Sequence, residues 1–493
     1  MPTLTIRRGQ QVITQPFDAP APIAALLEQA GMTLAKPCGG RGVCGKCVVL
    51  LEGAVSQPNA AEVRCGARLA CQAVALGDAQ IILPQEQPIG QIEAGCAAAL
   101  QPVQPMPGRL GAAIDVGTTT LALRLYDLIS GESLASATML NPQTSVAADV
   151  IGRIDAAMHG GQEKLRASIV SALHALLLRA CAQADRAESE VASLVVTGNT
   201  TMLYLLTGRD PTALSRAPFQ ADCLFDFECE LLGRRVYLPP CLHAFVGADT
   251  ACALLASGMP ESGETALLCD IGTNGEIALW HRGRLSVAST AAGPAFEGAG
   301  ISCGCGSIPG AIDRVDVESG ALRLHTIGEQ PAAGLCGSGL VDAVAALLAT
   351  GAIDETGAME DDRCLLADGV ALTQQDIRAV QLAKAAMAAG VAALLHDGGC
   401  RESDVASVCL AGGFGSHLNV GSAAAIGLIS PGIADRVRVI GNAALDGAAM
   451  LLMDTSLRQK LRSLSAQARH VRLDGNPFFS GCYIEEMLFP EAE

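Results

Sequence analysis

Apolar and polar positions alternate over residues 3–16, and the pattern predicts two short strands joined at Gly9. The period then lengthens. In APIAALLEQAG, Ile23, Leu26, Leu27 and Ala30 recur at helical spacing, and Gly31 stands where such a helix ends. Further on, CVVLLEG predicts a strand, AEVRCGARLAC a short helix or turn, and QIILP a last strand. From Gln85 to Gly108 the pattern dissolves, with Pro88, Pro102, Pro105 and Pro107 marking a semi-extended linker over 86–109 that keeps what precedes it free to swing. At Leu110 a strand, turn and strand begin in AAIDVGTTTLALRLYDL, and the same unit returns 155 residues later in TALLCDIGTNGEIALW. Between them a strand ends at Thr197 and a helix starts near Thr200 after a turn at Gly198 and Asn199. Another helix opens with Asp249. After the second unit come a glycine-rich loop, a helix opened by Gly337, Ser338 and Gly339, and a long helix carrying Lys384. A strand then runs into Gly412, Gly413, Phe414 and Gly415, and GNAALDGAAMLLM forms a helix that returns toward the first half.

Composition narrows this picture. A chain of 493 residues is too long for one core and predicts two to four domains. The 33 basic against 50 acidic residues give a net charge of -17, which argues against nucleic acid and anionic membrane as partners. No basic stretch followed by an apolar core opens the sequence, so a cytoplasmic protein is expected. The apolar window from Ala332 to Ala352 contains Asp342 and several glycines and is read as part of a soluble core. Nineteen cysteines in a reducing compartment point to thiols and a metal centre rather than disulfides.

Cys38, Cys44 and Cys47 are spaced C-x5-C-x2-C in a glycine-rich arc, and Cys71 follows in ARLACQ. Four thiolates are what a 2Fe-2S centre requires. Glycines between the ligands let the backbone wrap tightly and aim amides at sulfur. Cys65 competes with Cys71 as the fourth ligand. A structural zinc site is the alternative, disfavoured by the lack of a second C-x2-C pair. With the strand order above, residues 1–85 are expected to form a β-grasp 2Fe-2S ferredoxin domain.

The repeated hairpins carry the second chemistry. A turn of the type D-x-G-T-x offers backbone amides and hydroxyls to phosphate oxygens, while the aspartate at the strand end holds magnesium through water. This predicts Asp115 and Asp270 as catalytic carboxylates. Gly117, Thr118, Thr119 and Thr120 face Gly272, Thr273, Asn274 and Gly275 as the two halves of a clamp on one nucleotide. Asp249 either caps its helix or faces the cleft as a further ligand of magnesium or water. Gly337 and Ser338 are added to the nucleotide site, as are Gly412, Gly413, Phe414 and Gly415, whose glycines let backbone approach an adenine or an α-phosphate. The eight histidines form no metal cluster. The cysteines outside the cluster, Cys303 and Cys305 included, are expected to be small core residues.

The cysteine spacing and RLACQ resemble ferredoxins of the adrenodoxin type, which favours Cys71. DVGTTT, DIGTNGE and AGGFG resemble the phosphate and adenosine motifs of the superfamily of acetate and sugar kinases, Hsp70 and actin. Together with NPQTSVAADVIGRI, GNTTMLYLLTG, AGPAFEG and CGSGLVDA, they give nearly the whole chain a resemblance to the reductive activators of corrinoid-dependent enzymes. The resemblance implies a two-lobed ATPase over 110–493, lobe one about 110–262 and lobe two about 263–493, and the cofactors 2Fe-2S, ATP and Mg. It implies that an electron passes to an inactive Co(II) corrinoid on a corrinoid protein or corrinoid-dependent methyltransferase. An upstream electron donor is required, and the resemblance leaves room for a homodimer. A small-molecule kinase with a redox-sensing ferredoxin, and an electron carrier with a regulatory nucleotide domain, are the rival readings.

Overall fold

The computed structural model describes residues 1–9, 11–32, 34, 40, 42, 47–83, 99–413 and 417–491, with backbone alone at Gln11, Arg64 and Cys65. The first domain contains β1 (Thr3–Arg8), β2 (Gln11–Pro16), β3 (Ala21–Pro22), α1 (Ile23–Gln29), β4 (Leu50–Val55), α2 (Ala60–Cys65) and β5 (Val74–Ile82). β1 pairs antiparallel with β2 and parallel with β5, which also pairs with β3 and β4. Leu4, Ile6 and Ile81 on the sheet bury themselves against Ile23, Leu26 and Leu27 of α1, as the change from period 2 to helical period predicts. Asn59 caps α2, and Glu62 completes a capping box with it. Burial alone would raise the Glu62 pKa, but the Leu69 and Asn59 amides and the Arg68 guanidinium outweigh it and hold the carboxyl below its ordinary range. The bond from Leu69 N–H to Glu62 at 3.0 Å thus anchors the backbone two residues before Cys71.

The expected linker is corrected in its second half. Val103 N–H donates to Met453 O at 3.1 Å, Met106 N–H donates to Leu452 O at 2.9 Å, and the Met106 side chain is buried. This stretch is a strap on the large domain, and prolines that suit an extended chain suit a strap equally. Most of the remaining linker, residues 86–98, lies outside the described residues.

Lobe one contains β6 (Leu110–Val116), β7 (Thr120–Asp127), β8 (Ser133–Leu140), α3 (Val150–Ala156), α4 (Gln162–Gln183), β9 (Val191–Gly198), α5 (Thr200–Thr207), β10 (Phe227–Leu231), β11 (Arg234–Leu238) and α6 (Ala248–Ser257). The second half contains β12 (Ala266–Ile271), β13 (Gly275–His281), β14 (Arg284–Thr290), β15 (Ala311–Glu318), β16 (Ala321–Thr326), β17 (Gly334–Leu335), α7 (Gly337–Ala349), β18 (Arg363–Ala367), β19 (Val370–Thr373) and α8 (Gln374–Gly398). It continues with β20 (Ser407–Ala411), α9 (Val420–Ala425), β21 (Val437–Gly441), α10 (Ala443–Met453), α11 (Leu457–Gln467), β22 (Arg469–His470) and α12 (Pro477–Glu485).

The two main sheets repeat one topology. The order β11-β9-β6-β7-β8 in lobe one matches β21-β20-β12-β13-β14 in lobe two. The first three strands of each are parallel and the last two connections are antiparallel hairpins. β6 therefore corresponds to β12, and the turns that follow them occupy equivalent places at the strand ends. α10 returns from the second half and packs on α6, where a Cβ at Gly447 would collide with Cys252 O. Gln374–Gly398 and the bent stretch Val150–Gln183 are long and apolar enough to cross a membrane. Their apolar residues, such as Ile377, Val380 and Leu394 or Leu173 and Leu176, instead fill the lobe cores. The window from Ala332 to Ala352 becomes β17 and α7, also largely buried.

Candidate functional site

The two hairpin turns meet across the lobes. In the β6–β7 turn, Gly117 N–H donates to Thr120 O at 3.0 Å, and a Cβ at Gly117 would approach that oxygen to 2.6 Å, which explains the glycine. In the β12–β13 turn, Gly272 N–H donates to Asn274 O at 3.2 Å. The Glu297 carboxylate links them. It accepts from Thr119 Oγ1 at 2.6 Å, from Thr273 N–H at 2.7 Å and from Thr273 Oγ1 at 3.0 Å.

Behind the first turn lies a polar scaffold, fully buried at Asn141 and Arg153 and half-buried at Asn199. Asn141 Nδ2 donates to Gly117 O at 2.8 Å, Asn199 Nδ2 to Thr118 Oγ1 at 3.0 Å, and Arg153 Nη2 to Thr118 O at 2.5 Å. Gly275 opens β13 so close to α8 that a Cβ there would strike Met387 Sδ.

Asp115 and Asp270 are the penultimate residues of β6 and β12, and Asp249 is the second residue of α6. All three are half-buried: protein surrounds them, yet each keeps some solvent access. Burial, then repulsion from Asp249, pushes the Asp115 pKa up to about 7, against a bond from Asn442; Asp270 adds to the rise. Burial, then Asp249 and Glu297, pushes Asp270 up to about 7. Asp249 rises to about 6 through burial, opposed by the Thr250 amide and hydroxyl. Glu276, the second residue of β13, is raised well above its ordinary range by burial and by Asp249 and Asp270. Among the described residues none of these four carboxylates forms an ion pair, so their repulsion lacks a local counter-charge. No three metal-binding side chains among the described residues converge on one point. The donor atoms of the four carboxylates are all oxygen, the chemistry that a hard cation takes.

Gly247, not Asp249, occupies the N-cap of α6. A Cβ at Gly247 would meet Asn199 Cα at 2.5 Å, so this glycine lets α6 start against the β9–α5 turn. Asp249 accepts from its neighbour Thr250 N–H at 2.7 Å, so it satisfies a first-turn amide from within the helix and not from the N-cap position, one of the two roles expected for it.

Gly412 ends β20 at φ +93°, and a Cβ there would collide with Asp270 Oδ1. Gly413 is exposed beside it, while Phe414 and Gly415 lie outside the described residues. Gly337 and Ser338 start α7 and are buried. No described hydrogen bond joins their side chains or amides to the two turns.

In the first domain Cys47 is buried and Cys71 half-buried. Gln72 Nε2 donates to Gly40 O at 2.7 Å and lies 3.5 Å from Cys71 Sγ. Gly40 and Gly42 have positive φ, and a Cβ at Gly42 would press on the Gln72 side chain at 2.8 Å. Two thiols beside a tight glycine cradle fit a cluster bound by cysteine. Cys38 and Cys44 lie outside the described residues. Cys181, Cys241, Cys252, Cys269, Cys336, Cys400 and Cys409 are buried as expected for core residues, whereas Cys223, Cys229, Cys303, Cys305, Cys364 and Cys482 are half-buried.

The chain is 34% identical over 419 residues to the corrinoid activation enzyme RamQ of Eubacterium limosum, an alignment covering 77% of this chain and 70% of the relative. The chain belongs to the reductive activators of corrinoid proteins. The activator matches three family models: the 2Fe-2S iron-sulfur cluster binding domain over residues 8–76, the RACo middle region over 110–262, and the C-terminal domain of RACo, the ASKHA domain, over 264–493. The Co(II) methylated amine-specific corrinoid protein reductase of Methanosarcina barkeri is 26% identical over 422 residues, 77% of each chain. A solved structure of a reductive activator for corrinoid, iron-sulfur protein superposes with a TM-score of 0.72 at 25% identity, covering 100% of this chain and 99% of that one.

Sequence reasoning missed several site residues of this activator: Glu297, Arg153, Asn141, Asn199 and Asn442. Asn141, Arg153, Asn199 and Glu297 lie inside NPQTSVAADVIGRI, GNTTMLYLLTG and AGPAFEG, so the motifs were visible and the roles were not. A cavity of about 220 Å³ also opens between the lobes beside the turns, lined by Asn199, Thr201 and Phe245 on one side and Asn274, Glu276 and Thr290 on the other. A larger apolar cavity of about 330 Å³ lies within lobe two under the C-terminal segment and reaches the turns only through Ile271.

Proposed function

We propose that this protein is an ATP-dependent reductive activator, which delivers one electron to an inactive Co(II) corrinoid on a partner protein and returns the cobalt to Co(I) for methyl transfer. One observation carries the reading: a chain of the activator family joins a cysteine-bearing ferredoxin fold to a two-lobed domain whose paired turns meet over three uncompensated aspartates.

In this proposal Cys38, Cys44, Cys47 and Cys71 hold the 2Fe-2S cluster, and Gln72 orients the loop around them. When bound, the cluster supplies single electrons at low potential, roughly -400 mV in plant-type ferredoxins. Where the Co(II)/Co(I) couple lies lower still, each ~59 mV of shortfall is a tenfold penalty in a one-electron equilibrium. ATP is the source of the difference. Thr118–Thr120 and Thr273–Gly275 hold its phosphates, Gly412–Gly415 approach its adenosine, and Asp115, Asp249 and Asp270 would hold magnesium, which supplies charge neutralisation. ATP shifts an equilibrium only by binding one conformation better than the other, and turns contributed by two lobes meet that requirement. A reducing compartment, the cytoplasm, suits this chemistry.

The test mixes reduced protein with candidate Co(II) corrinoid proteins and follows the Co(II) and Co(I) absorbance with and without Mg-ATP. Co(I) is expected only with nucleotide, and ATP hydrolysis should quicken when the partner is present. Full Co(I) formation without nucleotide would move the reading to an electron carrier with a regulatory domain. Phosphorylation of an added small molecule would move it to a kinase.

A further inference from the structure

Glu297 takes up the hydrogen-bond donors that a phosphate would use. Thr119 Oγ1 comes from the lobe-one turn, Thr273 N–H and Oγ1 from the lobe-two turn, and all three point at its carboxylate within 3.0 Å. Gly272 leaves room for it, since a Cβ there would stand 3.2 Å from Glu297 Oε1. The backbone beneath it is fixed. Phe296 is buried in the lobe-two core, and a Cβ at the following Gly298 would strike Cys305 O, so the turn is clamped on both sides. The Glu297 side chain is half-buried and has three rotatable bonds, so it can leave while its backbone stays.

We propose that Glu297 is an internal competitor of the nucleotide: in the nucleotide-free protein its carboxylate fills the phosphate site and latches the two turns together, and ATP binds by displacing it. This rests on the reading of the turns as a phosphate clamp and adds what occupies the clamp before ATP arrives. A carboxylate and a phosphate oxygen cannot both accept from one hydroxyl proton, and their charges repel, so occupancy is exclusive. The latch also ties nucleotide entry to the lobe arrangement, because the displaced group bridges a turn of one lobe to a turn of the other.

The experiment compares Glu297→Gln and Glu297→Ala with wild type in calorimetric titrations with Mg-ADP and a non-hydrolysable ATP analogue, the visible spectrum of the holoprotein serving as a check of folding. Glu297→Gln keeps the shape and loses the charge. Both variants should bind nucleotide about tenfold more tightly, a gain of about 1.4 kcal/mol, and hydrolyse ATP faster without the partner. Weaker or unchanged binding in Glu297→Gln would overturn the proposal, as would unchanged binding with lost hydrolysis, which would make Glu297 a catalytic residue instead. Failure of the wild type to bind nucleotide would overturn the phosphate-clamp reading and this inference with it.

Discussion

Asn442 Nδ2 donates to Asp115 Oδ2 at 3.1 Å, joining positions 327 residues apart. The same side chain caps α10, its Oδ1 accepting from Leu445 N–H at 2.9 Å. One residue therefore fixes both the start of the returning helix and the carboxylate at the end of β6. Asn442→Asp would set a second anion against Asp115, where two close carboxylates cannot both ionise. ATP hydrolysis should fall about 10- to 100-fold, the usual effect of disturbing groups that support a metal ligand. Asn442→Ser keeps a capping oxygen but loses the amide donor. The bond it removes lowers the Asp115 pKa, so the acidic limb of the pH–rate profile should move to higher pH. An unmoved limb would mean that Asn442 acts only as a cap.

Asp115 and Asp270 also predict how stability depends on pH. Their folded pKa values, about 7, exceed the ~3.9 of an unfolded aspartate. The folded protein therefore binds more protons than the unfolded chain between these values. Stability from this source is highest below the unfolded pKa and falls as pH rises toward 7. Asp115→Asn removes that group's share, so its melting temperature should gain on wild type as pH rises from about 5 to 7.5. The coupled charges limit the gain to the order of a few kcal/mol. Added magnesium should narrow the gap by stabilising the wild type. Hydrolysis should vanish in Asp115→Asn and Asp270→Asn while the visible spectrum stays unchanged. A gap that does not vary with pH would remove the linkage.

For the cluster, Cys38→Ser, Cys44→Ser, Cys47→Ser and Cys71→Ser should each damage the visible chromophore, and Cys65→Ser should leave it intact. The reverse outcome at Cys65 and Cys71 would reassign the fourth ligand. Gln72→Leu is a finer probe. It removes an N–H lying 3.5 Å from Cys71 Sγ, and hydrogen bonds to sulfur help set cluster potentials. The loaded variant should titrate lower by something on the order of tens of mV. An unchanged potential would confine Gln72 to holding Gly40.

What the sequence revealed was local. The hairpin strands and glycine turns announce themselves within a dozen residues, and so does the recurrence of β6–β7 as β12–β13. The partners of those turns are not local. Glu297 meets Thr119 across 178 positions, and no periodicity records that. Glycine was the ambiguous signal. Gly412 does border Asp270, while at Gly339 in the first turn of α7 packing alone calls for glycine, since a Cβ there would collide with Ile312 O. Proline in residues 99–108 pointed to a linker and could not show that this chain is strapped to α10.

Arg153 is the residue whose sequence context misleads most, because an arginine in a short helix reads as a solvent-exposed cation. It is fully buried. Its guanidinium donates to Thr118 O at 2.5 Å and to Ala147 O at 3.0 Å, and approaches Gln143 Oε1 at 3.3 Å. Burial pushes its pKa down to about 10, opposed by Asp149 and Glu297, so it stays charged near neutral pH. A buried cation without a described ion pair is costly unless an anion comes to it. It stands directly behind the turn assigned to phosphate. Arg153→Met keeps the bulk and removes the charge. Relief of the buried charge offsets part of the loss of two carbonyl partners, each worth about 1–3 kcal/mol when left unsatisfied. The variant should fold with its cluster, melt a few degrees lower, and bind Mg-ADP at least about tenfold more weakly. Arg153→Lys should recover little, since one ammonium lacks the planar fork that serves both carbonyls. Titration calorimetry beside a melting curve separates the two effects. If nucleotide affinity is retained while the melting temperature falls, Arg153 is a scaffold for the Thr118 turn and contributes no charge to the phosphates.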